Sequence, residues 1–418
     1  MSAARHEAAA NHAAGGLLYN HVCPPLSDLD LEIVRSLPEG GNWTDVPAET
    51  ARKSARLMQI RASGGRTTYY GRLQRNRPSY TVNTYFHRPG NGSFVHPTQD
   101  RMISLREAAR LQSFPDRYRF LGSRSSIYKQ IGNAVPPLLA RAVGRMVPRG
   151  LAVDLFSGAG GLSEGLVQSG HSVIVASDME QDMCDTYAAN HLSTVVVRAD
   201  LSTSSGRAEV VQSVGSLLKG RTLNLLAGGP PCQGFSLAGK WKRGDSRNSL
   251  IHAMIEISDV LAPKHVLIEN VLGLNWMANG SVIGKVKEQL SNLGYAVDYM
   301  VLRSEQFGVP QRRRRVFLIG SKKRSEIRPL KCWFSPATSR PNKRPESACH
   351  FFASPITVDE AIGDLPPVPS GGGLPVMKYD SSWAVSDYQH LSREHITFEE
   401  FLCRRAGALK TGQQEGSA

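Results

Sequence analysis

The sequence predicts an α/β protein with a mostly parallel, doubly wound sheet and a second, smaller, loop-rich domain. Short apolar runs alternate with helical patterns from Gly150 onward. Polar side chains follow several of those runs, and the flanking segments are richer in Gly, Pro and Ser. Strand–helix alternation is typical of a parallel sheet with helices on both faces. With 418 residues, the chain is long enough for two domains.

The alternating region supplies the strands and helices of the sheet domain. Its apolar runs predict strands over 151–155, 172–177, 194–198, 222–227, 265–269, 296–302 and 316–320. Helices are expected over 162–169, 180–190, 206–219, 247–262 and 281–293, with Gly170 and Gly294 at C-cap positions. The last two strands lack an obvious helix between them, which favours an antiparallel pair at the edge of the sheet.

The segment before the sheet domain is helical. Ser104 and Glu107 have the spacing of a capping box, and a second helix is expected from about Pro136 to Val147. We therefore expect a disordered lead-in and tail, a small domain in two parts, a helix that packs on the sheet domain, and the sheet domain itself. In chain order these are 1–16 (lead-in), 17–120 (small domain, first part), 121–149 (helix), 150–325 (sheet domain), 326–410 (small domain, second part) and 411–418 (tail).

The charge predicts a polyanionic partner. The formal net charge is +14, with 50 Lys and Arg against 36 Asp and Glu, and the pI is about 9.6. A basic protein without such a partner remains the alternative. No apolar stretch approaches the ~18 residues of a membrane span, and no signal-peptide core is present, so we expect a cytoplasmic protein with no membrane contact. The six cysteines form no CxxC or Cys/His cluster, so neither a metal site nor a disulfide framework is predicted.

A cysteine and a glutamate follow two apolar strands. Cys232 comes directly after Pro230 and Pro231, which end the run 223–227, and Glu269 ends the run 265–268. Two prolines make a rigid strand end, which suits an aimed nucleophile better than a core position. A thiol and a carboxylic acid on neighbouring strand ends can attack a ring carbon and protonate the same ring.

A glycine-rich turn joins the first predicted strand of the sheet to its helix. The segment 154–161 reads DLFSGAGG, and Asp178 and Asp200 follow the next two strands. Ligands of doubly wound sheets bind beyond such strand ends, where Asp154 also lies. The turn alone could serve NAD, FAD, S-adenosylmethionine or simple helix packing, and each acid could be a solvated strand end. Together the turn and the acids favour a cofactor that carries adenosine.

These motifs together resemble those of the DNA cytosine-5 methyltransferase family. The resemblance rests on 228–236 (GGPPCQGFS), 269–271 (ENV), 311–315 (QRRRR), 101–115 (RMISLREAARLQSFP) and 130–137 (QIGNAVPP). It implies an S-adenosylmethionine-dependent methyltransferase fold, with the small domain recognising the target sequence. It also implies double-stranded DNA as partner, S-adenosylmethionine as cofactor, and the modification enzyme of a restriction–modification system. We expect a monomer.

The order of the motifs departs from the family pattern. The family's last two motifs normally close the chain, whereas here they precede the first. Segment 17–47 reads as though it should follow 402–410. We interpret this order as a circular permutation, which compact domains with neighbouring termini tolerate. Because only Pro148, Arg149 and Gly150 join the second helix to the first strand of the sheet, that helix should end beside the start of that strand.

The resemblance assigns roles to individual residues. Cys232 would attack C6 of a flipped cytosine, Glu269 would contact N3 and the exocyclic amine, and Arg313 would support the substrate side. Arg313 and Arg315 are expected to alternate onto one face of a strand, and both could equally be solvated charges on a basic edge. The expected cofactor residues are Phe156, Ser157, Gly158, Gly160, Gly161, Asp178, Met179, Asp200, Pro230, Asn133 and Ala134. The expected DNA contacts are Gln233, Ser236, Lys240, Lys242, Arg243 and Arg247 in a lid, and Arg61 and Arg66 in the small domain. Arg72 is a further arginine of that domain, and any of the three could read guanine edges or touch phosphate. The lid could equally be an ordinary exposed loop.

Three other functions remain open on the sequence. An RNA cytosine-5 methyltransferase would use the same chemistry, although the sizeable flanking region favours DNA. A DNA-binding protein without catalysis would retain the fold but would not explain the cysteine, the glutamate and the arginines. A nicotinamide-dependent dehydrogenase would rest on the glycine-rich turn alone.

Overall fold

The structure, a computed structural model, describes residues 16–231, 249–272, 281–337 and 353–415. The chain folds into two compact units. The first combines Met1–Asn133, Glu305–Arg313 and Cys332–Ala418, and the second combines Ala134–Ser304 and Arg314–Lys331. Each unit is therefore assembled from segments that are distant in the chain. Among the residues described, none of the helices has the length and apolar character needed to cross a membrane.

The first unit starts with short elements that are fixed by local caps. The side chains of Ser27, Ser54 and Ser104 each accept a hydrogen bond from a backbone N–H in the first turn of the helix that follows. The predicted capping box of Ser104 and Glu107 is present. In chain order the elements are β1 (Leu17–Val22), α1 (Asp28–Arg35), α2 (Ala48–Arg52), α3 (Ala55–Ser63), β2 (Gly71–Arg72), β3 (Ser93–Val95), α4 (Leu105–Leu111) and α5 (Arg124–Asn133).

The second unit is built on one sheet. Its elements are α6 (Pro137–Gly144), β4 (Leu151–Leu155), α7 (Gly161–Gln168), β5 (Ser172–Asp178), α8 (Gln181–Asn190), β6 (Val195–Arg198), α9 (Ser204–Leu218), β7 (Leu225–Gly228), α10 (Ser249–Leu261), β8 (His265–Asn270), α11 (Ser281–Asn292), β9 (Ala296–Arg303) and β10 (Arg314–Ser321).

The sheet order confirms the predicted α/β class. The seven strands lie in the order β6-β5-β4-β7-β8-β10-β9. The first five in this order pair in parallel, and β10 pairs antiparallel with both β8 and β9. The predicted antiparallel edge is therefore present. Gly170 and Gly294 have φ of 97° and 85°, as expected of residues that end helices in the left-handed region.

Close helix packing places α6 beside the start of the sheet. A Cβ on Gly165 of α7 would lie 2.3 Å from the carbonyl oxygen of Pro137 in α6, so only glycine allows this approach. At the other end of α6, the carbonyl of Gly144 accepts a hydrogen bond from His171 Nε2, 2.9 Å away, just before β5. The helix therefore ends beside the strand starts, as the short connection to β4 predicted.

The first unit is completed by the carboxyl-terminal elements. Its first strand, β1, pairs antiparallel with a strand more than 350 residues later, and Tyr19 lies opposite Val376. Buried ion pairs join the same distant segments, since Arg110 contacts both Asp116 and Asp364. These late elements are α12 (Val358–Ile362), β11 (Gly373–Lys378), α13 (Asp387–Ser392) and α14 (Phe398–Glu415).

Candidate active site

The carboxylate of Glu269 is buried at the carboxyl end of β8. Its Oε1 lies 2.8 Å from Nε of Arg315, and each side chain is only about a tenth exposed, at 10% and 11%. The register explains the pairing: Phe317 of β10 lies opposite Glu269, so Arg315 projects from the same face two residues away. The sheet therefore holds an ionised arginine directly against the predicted acid.

The strand that leads to Cys232 lies next to this carboxylate. β7 and β8 are parallel neighbours, and a Cβ on Gly229 would be 3.0 Å from Oε2 of Glu269. Asn270 Nδ2 also donates to the carbonyl of Pro230 over 3.1 Å. Pro231 directly precedes Cys232, which itself lies outside the described residues. The two strand ends named by the sequence are thus adjacent up to the residue before the predicted nucleophile.

The glycine-rich turn after β4 is held by Asp178. The N–H of Gly158 donates to Asp178 Oδ2 over 2.9 Å, and the N–H of Glu180 donates to Oδ1 over 3.0 Å. Phe156, Gly158 and Gly160 have φ of 55°, 53° and 92°, so the turn needs left-handed backbone at three positions, one of them not glycine. Burial raises the pKa of Asp178 despite these donors.

The rim around this turn fits a polar ligand such as an adenosine-bearing cofactor. The hydroxyls of Ser157 and Ser177 are buried, and in the described part of the chain neither has a hydrogen-bond partner. A Cβ on Gly158 would meet nothing within 4 Å, and Met179 is 55% exposed. Asp200 is exposed beyond β6, where its Oδ1 accepts from the N–H of Ser202 over 2.9 Å. Gly161 begins α7, which places the amino end of that helix at the same rim.

Asp154 lies beneath the turn rather than at its surface. It is fully buried in β4, its Oδ2 accepts from Ser163 Oγ at 2.6 Å, and Tyr187 OH donates to the same Ser163 Oγ at 2.6 Å. Burial raises the pKa of Asp154 to about 7, and the charges of Asp178 and Glu269 add to this increase. Its Oδ1 is buried without a partner among the described residues. These contacts connect β4 to α7 and α8.

Arg313 does not share a strand with Arg315, so the expected alternation of the two on one strand face is wrong. β10 begins at Arg314, and the guanidinium of Arg313, in the first unit, donates to the carbonyls of Val82 and Gly132 at 2.9 Å each. The physical reason is that the buried guanidinium needs hydrogen-bond acceptors, and backbone carbonyls of the first unit supply them. Asn133 and Ala134 directly follow Gly132 and are exposed and half-buried, respectively.

Gln311, like Arg313, is buried and forms hydrogen bonds with distant segments of the first unit. Its Oε1 accepts from the N–H of Val82, and its Nε2 donates to the carbonyl of Leu111 and to Oε1 of Gln112, all at 2.9–3.0 Å. Gln311 therefore ties together three segments of the first unit. The sequence offered a weak signal for this role, since an uncharged Gln preceding four arginines is the residue type that can both donate to and accept from backbone.

The predicted DNA contacts divide into three groups. Gln233, Ser236, Lys240, Lys242, Arg243 and Arg247 lie outside the described residues. In the first unit, Arg61 is half-buried and donates to the carbonyl of Val46, whereas the side chain of Arg66 is exposed. Arg72 is a correction: it is buried and donates to four carbonyls and to Asp100, so it holds the fold and is not presented to DNA.

Comparisons with known proteins agree with the motifs. A family model described as C-5 cytosine-specific DNA methylase matches residues 31–149 and 151–400. Type II methyltransferase M.AgeI of Thalassovita gelatinovora is 35% identical over 271 residues, which cover 59% of this chain and 58% of that protein. Type II methyltransferase M.DdeI of Desulfomicrobium norvegicum is 33% identical over 276 residues, covering 62% and 61%.

The chain spans less than two thirds of the length of these relatives. Among solved structures, the S. pombe Dnmt2 methyltransferase is 22% identical with a TM-score of 0.33, covering 42% of this chain and 50% of that chain. The family model, by contrast, matches far more than half of the residues. The chain therefore belongs to the C-5 cytosine-specific DNA methylase family.

Proposed function

We propose that this protein is a site-specific DNA cytosine-5 methyltransferase. One observation carries the proposal: the buried Glu269 carboxylate, paired with Arg315, lies against Gly229, and the neighbouring Asn270 donates to the carbonyl of Pro230, on the segment that leads into Cys232. A thiol and an acid at neighbouring strand ends suit covalent activation of a planar heterocycle. The family model and the named Type II relatives support DNA as the polymer and a restriction–modification setting.

In the proposed mechanism, Cys232 and Glu269 activate the base together. Cytosine C5 is too weak a nucleophile to take a methyl group directly. The Cys232 thiolate bonds to C6, which makes C5 an enamine carbon, while Glu269 contacts N3 and the exocyclic amine and shares a proton there. After C5 is methylated it loses its proton, and elimination of the Cys232 thiolate restores the ring. A free thiol with a pKa of ~8.5 is only a few per cent ionised at neutral pH. The proton that Glu269 shares at N3 therefore has to make C6 easier for the thiolate to attack.

Arg315 and Arg313 have different roles in this proposal. Arg315 keeps the Glu269 side chain in one position and supplies the charge that a buried carboxylate needs. Arg313 acts as a positioning residue: it fixes the backbone at Gly132, next to Asn133 and Ala134, and at Val82. We therefore assign the direct electrostatic contact at the catalytic carboxylate to Arg315.

The cofactor proposed is S-adenosylmethionine, which supplies the methyl group when bound. The residues present fit such a ligand, because Ser157 and Ser177 offer unpaired buried hydroxyls and the glycine turn faces open space at Gly158. Asp178 and Asp200 offer carboxylates for ribose hydroxyls and an adenine amino group. Met179, Phe156 and Pro230 supply apolar surface, and Asn133 and Ala134 are further contacts by family position.

Recognition of double-stranded DNA is assigned to the first unit and to the lid 234–247. The target base is stacked in a duplex and must be flipped out, at a cost of a few kcal/mol. Lys240, Lys242, Arg243 and Arg247 would contact phosphates, with Gln233 and Ser236 near the vacated base. Within the first unit, Arg66 is a better candidate than Arg61 for a DNA contact, because the guanidinium of Arg61 already donates to the carbonyl of Val46.

The motif order is proposed to be a circular permutation of the family arrangement. Two observations support it: the family model matches in two blocks that meet at Gly150, and β1 pairs with β11 far along the chain. A chain rearranged to run 150–418 and then 17–149 should therefore fold and bind the same ligands. Loss of folding in the rearranged chain would argue against the permutation.

Transfer of a labelled methyl group tests the function directly. Purified protein is incubated with labelled S-adenosylmethionine and either mixed-sequence duplex DNA or transfer RNA. We expect label in the cytosines of DNA and none in RNA. Label in RNA alone would favour the RNA methyltransferase alternative, and no transfer to either polymer while DNA is bound would favour a binding protein.

A further inference from the structure

The edge of the sheet where the parallel strands begin carries a cluster of exposed cations. We call it the amino edge and define it by Arg149, Arg221, Lys264, Lys322, Lys323 and Arg328. Arg149 lies two residues before β4, and Lys264 directly precedes β8. Lys322 and Lys323 follow β10, which runs in the opposite direction and therefore ends at the same edge.

Backbone hydrogen bonds join these residues into one continuous surface. The N–H of Lys322 donates to the carbonyl of Lys264 over 3.0 Å, and the N–H of Lys264 donates to Leu223 over 3.1 Å. The N–H of Arg328 donates to the carbonyl of Met146 over 2.7 Å, three residues before Arg149. Since all these residues belong to the second unit, the amino edge is a property of that unit alone.

The positive charge of the amino edge is only partly neutralised locally, since Lys323 alone of its six cations has an acidic partner among the described residues, Glu326 at 3.9 Å. In the described ranges of the chain, Arg149, Lys264, Lys322 and Arg328 have no acidic partner. Of the acids nearby, Asp298 pairs with Arg324 at 2.7 Å, and Glu326 lies 3.9 Å from Lys323 and 3.2 Å from His265. Clustered like charges repel one another, so a polyanion that bridges them would stabilise the surface.

The opposite edge of the sheet carries the proposed reaction site. Asp178, Asp200 and the Arg315-paired Glu269 lie there. β8 is six residues long, so the two edges are separated by roughly 20 Å. DNA has a persistence length of about 150 base pairs, and a short duplex at the reaction edge cannot bend round to the amino edge. A polyanion at the amino edge is therefore a different segment from the one that is modified.

We propose that the amino edge binds the phosphate backbone of a second duplex DNA segment. This rests on the proposed function for the identity of the polyanion. Exposed Lys and Arg without fixed acidic partners suit sequence-independent phosphate contacts, which release counterions and fall off with salt. Such a contact would keep the enzyme on long DNA while the reaction edge is free to engage and release target sites.

Salt-dependent binding tests the amino edge with a matched pair of variants. The test variant is Lys264→Gln/Lys322→Gln, and the control is Lys285→Gln/Lys287→Gln in α11, which removes the same charge away from that edge. Binding to a mixed-sequence duplex of several hundred base pairs is measured from 50 to 200 mM salt. The slope of log affinity against log salt should become shallower by about 2 in the test variant, since each lost phosphate contact is worth ~0.9. The control should match the wild type.

A short duplex separates this proposal from the proposed function. On a duplex of about 20 base pairs that the wild type methylates, too stiff to bend round from one edge to the other, the test variant should turn over at the wild-type rate. An unchanged slope, or an equal change in test and control variants, overturns the amino edge as a DNA site. If the test variant misfolds, Arg149→Gln/Arg328→Gln replaces it with the same expectation. A wild type that binds DNA but methylates nothing refutes the proposed function and leaves the slope comparison intact.

Discussion

The ion pair between Arg315 and Glu269 should be strongly coupled, and its coupling can be measured. At 2.8 Å, the Coulomb attraction is about 6 kcal/mol for an effective dielectric constant of ~20. Desolvation of both groups offsets most of this attraction, but removal of one partner leaves the other charge buried. Arg315→Met should therefore destabilise the second unit by about 3 kcal/mol. Glu269→Gln should cost less, because a neutral amide can be buried beside Arg315 more easily than a lone carboxylate.

A double-mutant cycle isolates the pair. The loss in Arg315→Met/Glu269→Gln should be smaller than the sum of the single losses by about 2 kcal/mol. The control cycle uses Arg324 and Asp298, an ion pair of similar length whose side chains are 64% and 35% exposed, and it should give less than about 1 kcal/mol. Native-state hydrogen exchange at amides of β8 and β10 reports both cycles. Equal coupling energies in the two cycles would refute the claim that burial makes the ion pair of Glu269 and Arg315 strongly coupled.

Three further changes probe other parts of the structure. Arg313→Leu removes the hydrogen bonds to the carbonyls of Val82 and Gly132 and should lower the free energy of unfolding in urea by about 3 kcal/mol. The control Arg312→Leu removes the contact over the Tyr80 ring and should lower it by about 1 kcal/mol or less. Equal losses in the two variants would contradict the structural role of Arg313. Gly132→Ala places a Cβ 2.5 Å from the backbone of Asn83 and should lower the melting temperature by several degrees; an unchanged melting temperature would show that the contact can relax. Burial raises the pKa of Asp154 to about 7, so folding takes up a proton between about pH 4 and 7, and the contribution of Asp154 to stability falls as the pH rises through that range. The free energy of unfolding of Asp154→Asn should therefore rise relative to that of the wild type by up to about 1.4 kcal/mol per pH unit from pH 5 to 7. A difference between the two proteins that does not change with pH would contradict the burial of an acid at this position.

Local patterns predicted the sheet domain well because its signals lie within single segments. The apolar runs before Asp154, Asp178 and Glu269 each became a strand of the sheet, and Gly170 ends its helix as expected. The parallel order then brought Pro230 and Glu269 to one edge without any further information. Fold class and the location of the candidate site therefore follow from periodicity and strand ends.

Long-range partners could not be predicted in the same way. Arg313 and Arg72 look like surface cations in the sequence. Both are buried, because carbonyls from distant segments accept hydrogen bonds from their guanidinium N–H groups. The pairing of β1 with β11 also spans most of the chain, and neither strand has a strong apolar alternation. Which side chain meets which carbonyl depends on the packed fold, and one sequence contains no direct record of it.

Covalent trapping tests the central claim most directly. Duplex DNA that contains 5-fluorocytosine in place of cytosine is incubated with the protein and S-adenosylmethionine, and the mixture is resolved under denaturing conditions. The wild type should remain bound to the DNA, since fluorine cannot leave C5 as a proton does and the thiolate is not eliminated. Cys232→Ser should form no adduct, whereas the replacement of the buried Cys23 by Ser should leave it in place. An adduct that persists in Cys232→Ser, or a wild type that methylates cytosine without ever being trapped, would contradict attack by the sulfur of Cys232.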